Sequence, residues 1–319
     1  MKHNLTVTLL IVLIFFLSQL IGLYAVNANT VVTTTSEGGI LVEHENTAIG
    51  ERPDIQGVET FAYILVAVLI GTGLILLLVR FRKFGIWKVM FFFAVWMTCS
   101  ITLGVFMDYT LALLICIVLA FFKVYRPNIY VHNLTELFIY AGIAVIFVPL
   151  LDVLWVTLLL LAISAYDMFA VWHSKHMISL AEFQTKSRAF AGVMLSYKVK
   201  AAGKIRKAAK GEGRALAKAA KDTKDTQEET KNAILGGGDI AFPLIFAGVV
   251  MDSMIRMSVA KTTAFLFALI IPVVVAVALF SLLALAKKDR FYPAMPFLTA
   301  GCLIGYGILW LLGLGVAAV

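Results

Sequence analysis

Charge is the scarcest property of this chain: Asp, Glu, Lys and Arg make up 14% of its 319 residues, against roughly a quarter in an ordinary soluble domain. With 61% hydrophobic residues and a mean hydropathy of +0.94, this excludes a soluble globular protein and implies an integral membrane one. Cysteine is nearly absent. Cys99, Cys116 and Cys302 stand singly in apolar stretches, without the paired spacing of a redox or metal centre, and read as small core residues. The five histidines lie near segment ends, and His173 and His176 lack the Glu and the i, i+4 spacing of a zinc protease. No metal and no cofactor are expected. No aromatic residue stands among the lysines of residues 198–231, which argues against a base-stacking nucleic-acid surface there.

What is plentiful is apolar sequence in runs of membrane-spanning length. A bilayer core about 30 Å thick needs roughly 20 such residues per helix. Nine runs qualify, at residues 5–26, 59–79, 86–107, 109–125, 134–151, 154–172, 238–256, 262–286 and 294–318. The fold class is therefore an all-α polytopic membrane protein with nine transmembrane helices. Only Asp108 divides the third run from the fourth, so a fused pair stays open there, and Lys123 is expected to snorkel toward the interface. The first run is longer than the hydrophobic region of a secretory signal and reads as a retained helix rather than a cleaved leader.

The chain divides into an N-terminal membrane region (1–172), a hydrophilic basic loop (173–237) and a C-terminal membrane region (238–319). The loop holds 14 of the 27 basic residues. Its Ala, Lys, Gly and Thr composition resembles flexible linker, with too few apolar residues for a core. Counted over all loops, 24 of the 27 basic residues fall on the side of this loop; only Arg52, Arg256 and Lys261 lie opposite. By the positive-inside rule the N-terminus and the long loop are cytoplasmic and the C-terminus outside. The first external loop is correspondingly acidic, with Glu37, Glu43, Glu45, Glu51 and Asp54.

Ionisable groups inside membrane helices cost several kcal/mol in most estimates, which makes them functional candidates. Asp108, Glu136, Asp152 and Asp252 fall near segment ends and read as interface residues. Asp167 and Asp239 do not. Asp167 precedes the cytoplasmic end of the sixth run by five residues, about 7.5 Å along a helix, and Asp239 lies at a similar depth as the seventh run starts back. Two facing carboxylates cannot both ionise readily, so they share a proton and offer an acid and a base together. Such a pair serves peptide hydrolysis by activated water, but equally a proton or cation relay in a transporter, or a structural link between two helices.

The flanking residues choose among these. Tyr166-Asp167 and Gly236-Gly237-Gly238-Asp239 resemble the YD and GxGD motifs of the presenilin and signal peptide peptidase family of intramembrane aspartyl proteases, in the form of its archaeal presenilin homologues. Pro293-Ala294-Met295-Pro296 is similar to the family's PAL motif, with Met295 in place of Leu, a near-isosteric change. The resemblance implies that Asp167 and Asp239 are catalytic, and that Tyr166, Gly236, Gly237, Gly238, Pro293, Ala294 and Met295 shape the site. It implies transmembrane-helix proteins in the bilayer as substrates, and no nucleic acid; a homo-oligomer stays open. Signal peptide peptidase itself has the opposite orientation, which the charge count disfavours. Glycines at 236 and 238 are expected to permit close backbone approach and unusual dihedrals and so to admit an unwound substrate strand. Pro293 and Pro296 are expected to leave helix-terminal groups free to bind it.

Overall fold

In the computed structural model the described residues are 5–34, 40–51, 55, 57–126, 128–174, 183–184, 189–200, 228–286 and 292–314. Among them the chain forms nine membrane-length or near-membrane-length helices. They are α1 (Leu5–Asn29), α2 (Val58–Arg80), α3 (Phe84–Gly104), α4 (Tyr109–Tyr125), α5 (Ile129–Phe147), α6 (Val153–Phe169), α7 (Gly237–Arg256), α8 (Lys261–Leu285) and α9 (Met295–Leu309). Lipid offers no hydrogen bonds, so each apolar run satisfies its backbone within itself, as a helix does. A 3₁₀ turn (Val148–Leu150) extends α5, and wider π turns close α6 (Ala170–Ser174) and α9 (Trp310–Leu314). Helix α8 is interrupted at Leu269, three residues before Pro272, whose missing N–H leaves a gap in the hydrogen-bond ladder.

The third and fourth runs are separate helices. The Asp108 carboxylate accepts from the N–H groups of Thr110 (2.9 Å) and Leu111 (3.3 Å), which starts α4 afresh after α3 ends at Gly104. Asn128 and Asp152 cap α5 and α6 in the same way. Because of its cap, α5 begins at Ile129, ahead of the apolar run that marks it in the sequence. Its first two turns carry His132, Asn133, Thr135 and Glu136, which face protein rather than lipid.

Helix α7 is the axis of the bundle. It packs on α1, α5, α6, α8 and α9, and 78% of its spanning window is buried, against 11% for α2 at the rim. It is also the least hydrophobic of the spanning helices, which suits a place enclosed by protein rather than lipid. Small residues bring the helices together: an added Cβ at Gly142 of α5 would sit 2.1 Å from the Thr98 carbonyl oxygen of α3.

Two antiparallel ribbons lie at opposite ends of the bundle, neither of them visible as a span. The first joins β1 (Thr30–Thr34) to β2 (Ile40–His44), pairing Thr30 with His44 through Thr34 with Ile40. The second joins β3 (Gly192–Lys200) to β4 (Glu228–Gly236), pairing Gly192 with Gly236 through Lys200 with Glu228. The two ends of the basic loop are thus a strand pair rather than linker; residues 201–227 between them lie outside the described residues. Ile234 and Leu235, which suit a membrane segment by composition, belong to β4, and α7 starts only at Gly237.

Candidate active site

Asp167 occupies the last turn of α6 and Asp239 the first turn of α7. These two helices pack against each other, so the end of one brings its carboxylate to the start of the next. Asp167 is 6% exposed, Asp239 is partly buried, and the two interact through their charges. The fold thus sets the two aspartates at adjoining ends of helices in contact.

Helices α9, α2 and α1 brace the two that carry the aspartates. From α9, the Met295 N–H donates to Asp167 Oδ2 at 3.1 Å. That N–H is one of the orphan donors of a helix N-terminus, and a carboxylate is its natural partner. Expected to be free for substrate, this donor is instead occupied by Asp167. Met295 itself is buried, as is Pro293. The Ser164 and Thr299 hydroxyls, 2.7 Å apart, join α6 to α9 one turn deeper. Tyr166 turns away from the pair; its hydroxyl donates to Thr72 Oγ1 of α2 at 3.2 Å, tying the rim helix to α6. On α7, Pro243 cannot donate an N–H to the Asp239 carbonyl, and the buried Gln19 of α1 donates its amide to the next carbonyl, Ile240 O, at 2.8 Å.

Of the three glycines before Asp239, Gly236 and Gly237 are close-packed, and none uses an unusual dihedral. None has a positive φ, and Gly236 is extended at φ −64°, ψ 146°. A Cβ on Gly236 would stand 3.2 Å from Asp239 Oδ2, and one on Gly237 would stand 3.2 Å from the Tyr140 ring and hydroxyl, while Gly238 has room. The left-handed residue is Gly192, at φ 150°, opposite Gly236 in the ribbon, where a Cβ would fall 2.4 Å from Leu235 O. The Gly237 N–H donates to Ala191 O at 3.3 Å and closes the ribbon onto α7.

Three ionisable residues read as interfacial prove to be internal. Lys123 does not snorkel: its Nζ lies 2.6 Å from Glu136 Oε1, with the two side chains 0% and 1% exposed. Helix α5 turns its polar face toward α4, so Glu136 neutralises the lysine where lipid would otherwise meet both. Asp252 is also buried, 3.1 Å from His44 Nε2 of β2 and 2.8 Å from Arg256 Nε, and so pins the first ribbon to α7. Asp108 and Asp152 are exposed helix caps. Sequence reasoning missed Gln19, Tyr140, Gly192, Ser164 and Thr299. The only signal for Gln19 was a lone amide within an apolar run, and for the Lys123–Glu136 pair, opposite charges in successive runs.

The described residues thus form a bundle of apolar helices with one aspartate in the last turn of α6 and another in the first turn of α7. Residues 39–315 match the family described as signal-peptide peptidase, presenilin aspartyl protease, and the chain belongs to that family. It is accordingly a multi-pass membrane hydrolase, of a family that acts on transmembrane substrates within the bilayer. Two solved structures share its fold. A presenilin family intramembrane aspartate protease in a C222 crystal is 19% identical, with a TM-score of 0.56 over 96% of this chain and 99% of that one. The same description in a P2 crystal gives 19% identity and a TM-score of 0.54 over 95% and 96%. No curated protein matches the sequence.

Proposed function

We propose that Asp167 and Asp239 are the catalytic pair and that they hydrolyse peptide bonds within transmembrane helices of other proteins. The observation that carries this reading is that α6 ends on one carboxylate and the adjoining α7 begins on the other, with the first held by the first N–H of α9. A pair within each other's field holds one proton between its members. The ionised carboxylate takes a proton from water as its oxygen attacks the scissile carbonyl carbon. The protonated carboxyl donates a hydrogen bond to the carbonyl oxygen, which carries the developing charge. The C–N bond then breaks as a proton passes to the leaving nitrogen. The membrane regions 1–172 and 238–319 supply one aspartate each, and the basic segment 173–237 joins them on the cytoplasmic side.

A helical peptide bond is hydrogen-bonded and shielded, so the substrate must be extended where it is cut. The second ribbon favours this. On β3, His132 Nε2 binds Gly192 O at 2.8 Å, and Asn133 binds both Met194 O (2.9 Å) and Met194 N–H (3.1 Å). Helix α5 therefore occupies the outer edge of β3. In an antiparallel pair the residues opposite these, Gly236 and Ile234, turn their own N–H and C=O toward the other edge of β4. An unwound substrate segment pairing along that edge would reach Asp239 within three residues of Gly236.

The test is cleavage of a single-span peptide by the purified chain in lipid vesicles. Asp167→Asn and Asp239→Asn should each abolish cleavage while leaving thermal stability intact, and a hydroxyl-containing transition-state mimic should inhibit the wild type. Near-wild-type cleavage by either variant would refute the pair. Aspartate-dependent proton or cation flux in the same vesicles, without inhibition by the mimic, would point to a transporter instead.

A further inference from the structure

The GGGD turn is pressed from one side by a residue with no place in the catalytic step. Tyr140 of α5 is 2% exposed, and its ring and hydroxyl lie against Gly237, two residues before Asp239. Its hydroxyl donates to Glu136 Oε2, one helical turn earlier. The other oxygen of Glu136 receives Lys123 Nζ from α4, and that ammonium also donates to Thr135 Oγ1 (3.0 Å) and His132 O (3.2 Å). A buried ion pair of this kind costs desolvation and seldom adds net stability over apolar side chains.

The same face of α5 grips β3 through His132 and Asn133, as described above, so α5 contacts both the ribbon and the turn that follows it. The charged groups around the Tyr140 hydroxyl are Glu136, with Lys123 and His132 behind it, and Asp239 across the turn. A phenylalanine would fill the same space. The hydroxyl anchored on a carboxylate is more than packing requires.

We propose that Tyr140 is a positioning residue for Asp239: its hydroxyl, held by the buried Glu136–Lys123 pair, fixes the Gly236–Gly238 turn from which Asp239 projects. The inference rests on Asp167 and Asp239 being the catalytic pair. Tyr140→Phe retains the ring, so the bundle folds, but the turn loses its fixed stop. Small displacements of a catalytic group are felt in the chemical step, so kcat should fall about 10-fold with KM within about 2-fold of wild type. Replacing the anchor as a pair, Lys123→Met with Glu136→Leu, should give a comparable loss. Combining all three changes should cost no more than Tyr140→Phe alone, because residues acting through one path are not additive.

The experiment measures kcat and KM on a single-span peptide in lipid vesicles for these variants and for Asp239→Asn. The concentration of folded sites is titrated with a tight transition-state mimic, so that loss of folded protein is separated from loss of rate per site. A reduced kcat for Tyr140→Phe, with no further loss in the triple variant, supports the proposal. An unchanged kcat per site, a change confined to KM, or losses that multiply in the triple variant would overturn it. Activity surviving in Asp239→Asn would instead refute the underlying catalytic pair, whatever Tyr140→Phe does.

Discussion

Lys123 and Glu136 show how a charge enters an apolar bundle: as one half of a pair with every hydrogen-bonding position answered. Removing one partner strands the other, so Lys123→Ala should destabilise the protein by roughly 3–5 kcal/mol, whereas the paired Lys123→Met/Glu136→Leu change should cost far less. Thermal or denaturant unfolding in detergent checks the order of the two variants, and equal losses would contradict it. Asp167 and Asp239 are different because, among the described residues, neither has a basic partner and, in the function proposed above, they act as a pair. A working pair needs one protonated and one ionised member, so the cleavage rate should pass through a maximum in pH, falling on the acid side as the second carboxyl protonates and on the alkaline side as the shared proton leaves. Initial rates across the range in which the protein stays folded test this. A flat profile would contradict a shared proton.

Helices in lipid are held by close packing rather than by escape from water, and glycine position is therefore decisive. Gly142 of α5 meets the Thr98 carbonyl of α3 so tightly that no side chain fits, whereas Gly71 and Gly73 of α2 have no atom within 4 Å of an added Cβ. Gly142→Ala should push α3 and α5 apart and cost about 1–3 kcal/mol or more, visible as a lower Tm. Gly71→Ala should be neutral or slightly stabilising, since alanine is the better helix former by up to about 1 kcal/mol. Comparable Tm losses for both would mean that α2 is packed as closely as α5. The strand elements follow another logic. Each ribbon is tied to the bundle by polar side chains, the first by His44 on Asp252 and by Lys261 Nζ on Thr30 O at 2.6 Å, the second by His132 and Asn133 of α5.

Across the whole molecule the helices alternate in direction, so the two ribbons mark opposite faces of the membrane, with the aspartate pair near the second. By the positive-inside rule that second face is expected in the cytoplasm. Glu43→Cys should therefore react with an impermeant thiol reagent added outside, and Lys83→Cys only from inside. The native Cys99, Cys116 and Cys302 are buried and give little background. The reverse pattern would assign the chain the orientation of signal peptide peptidase. Much of this architecture is written locally. Nine spans follow from run length, because lipid demands that each apolar run satisfy its own backbone, and Asp167 and Asp239 stand out because a lone carboxylate there is costly. The packing partners are not local and stayed hidden. Whether Glu136 meets water or Lys123, whether the loop ends are linker or strand, and whether the Met295 N–H is free or bound to Asp167 all depend on which helix faces which. That facing is set by the fit of side chains from distant segments, and only the assembled bundle decides it.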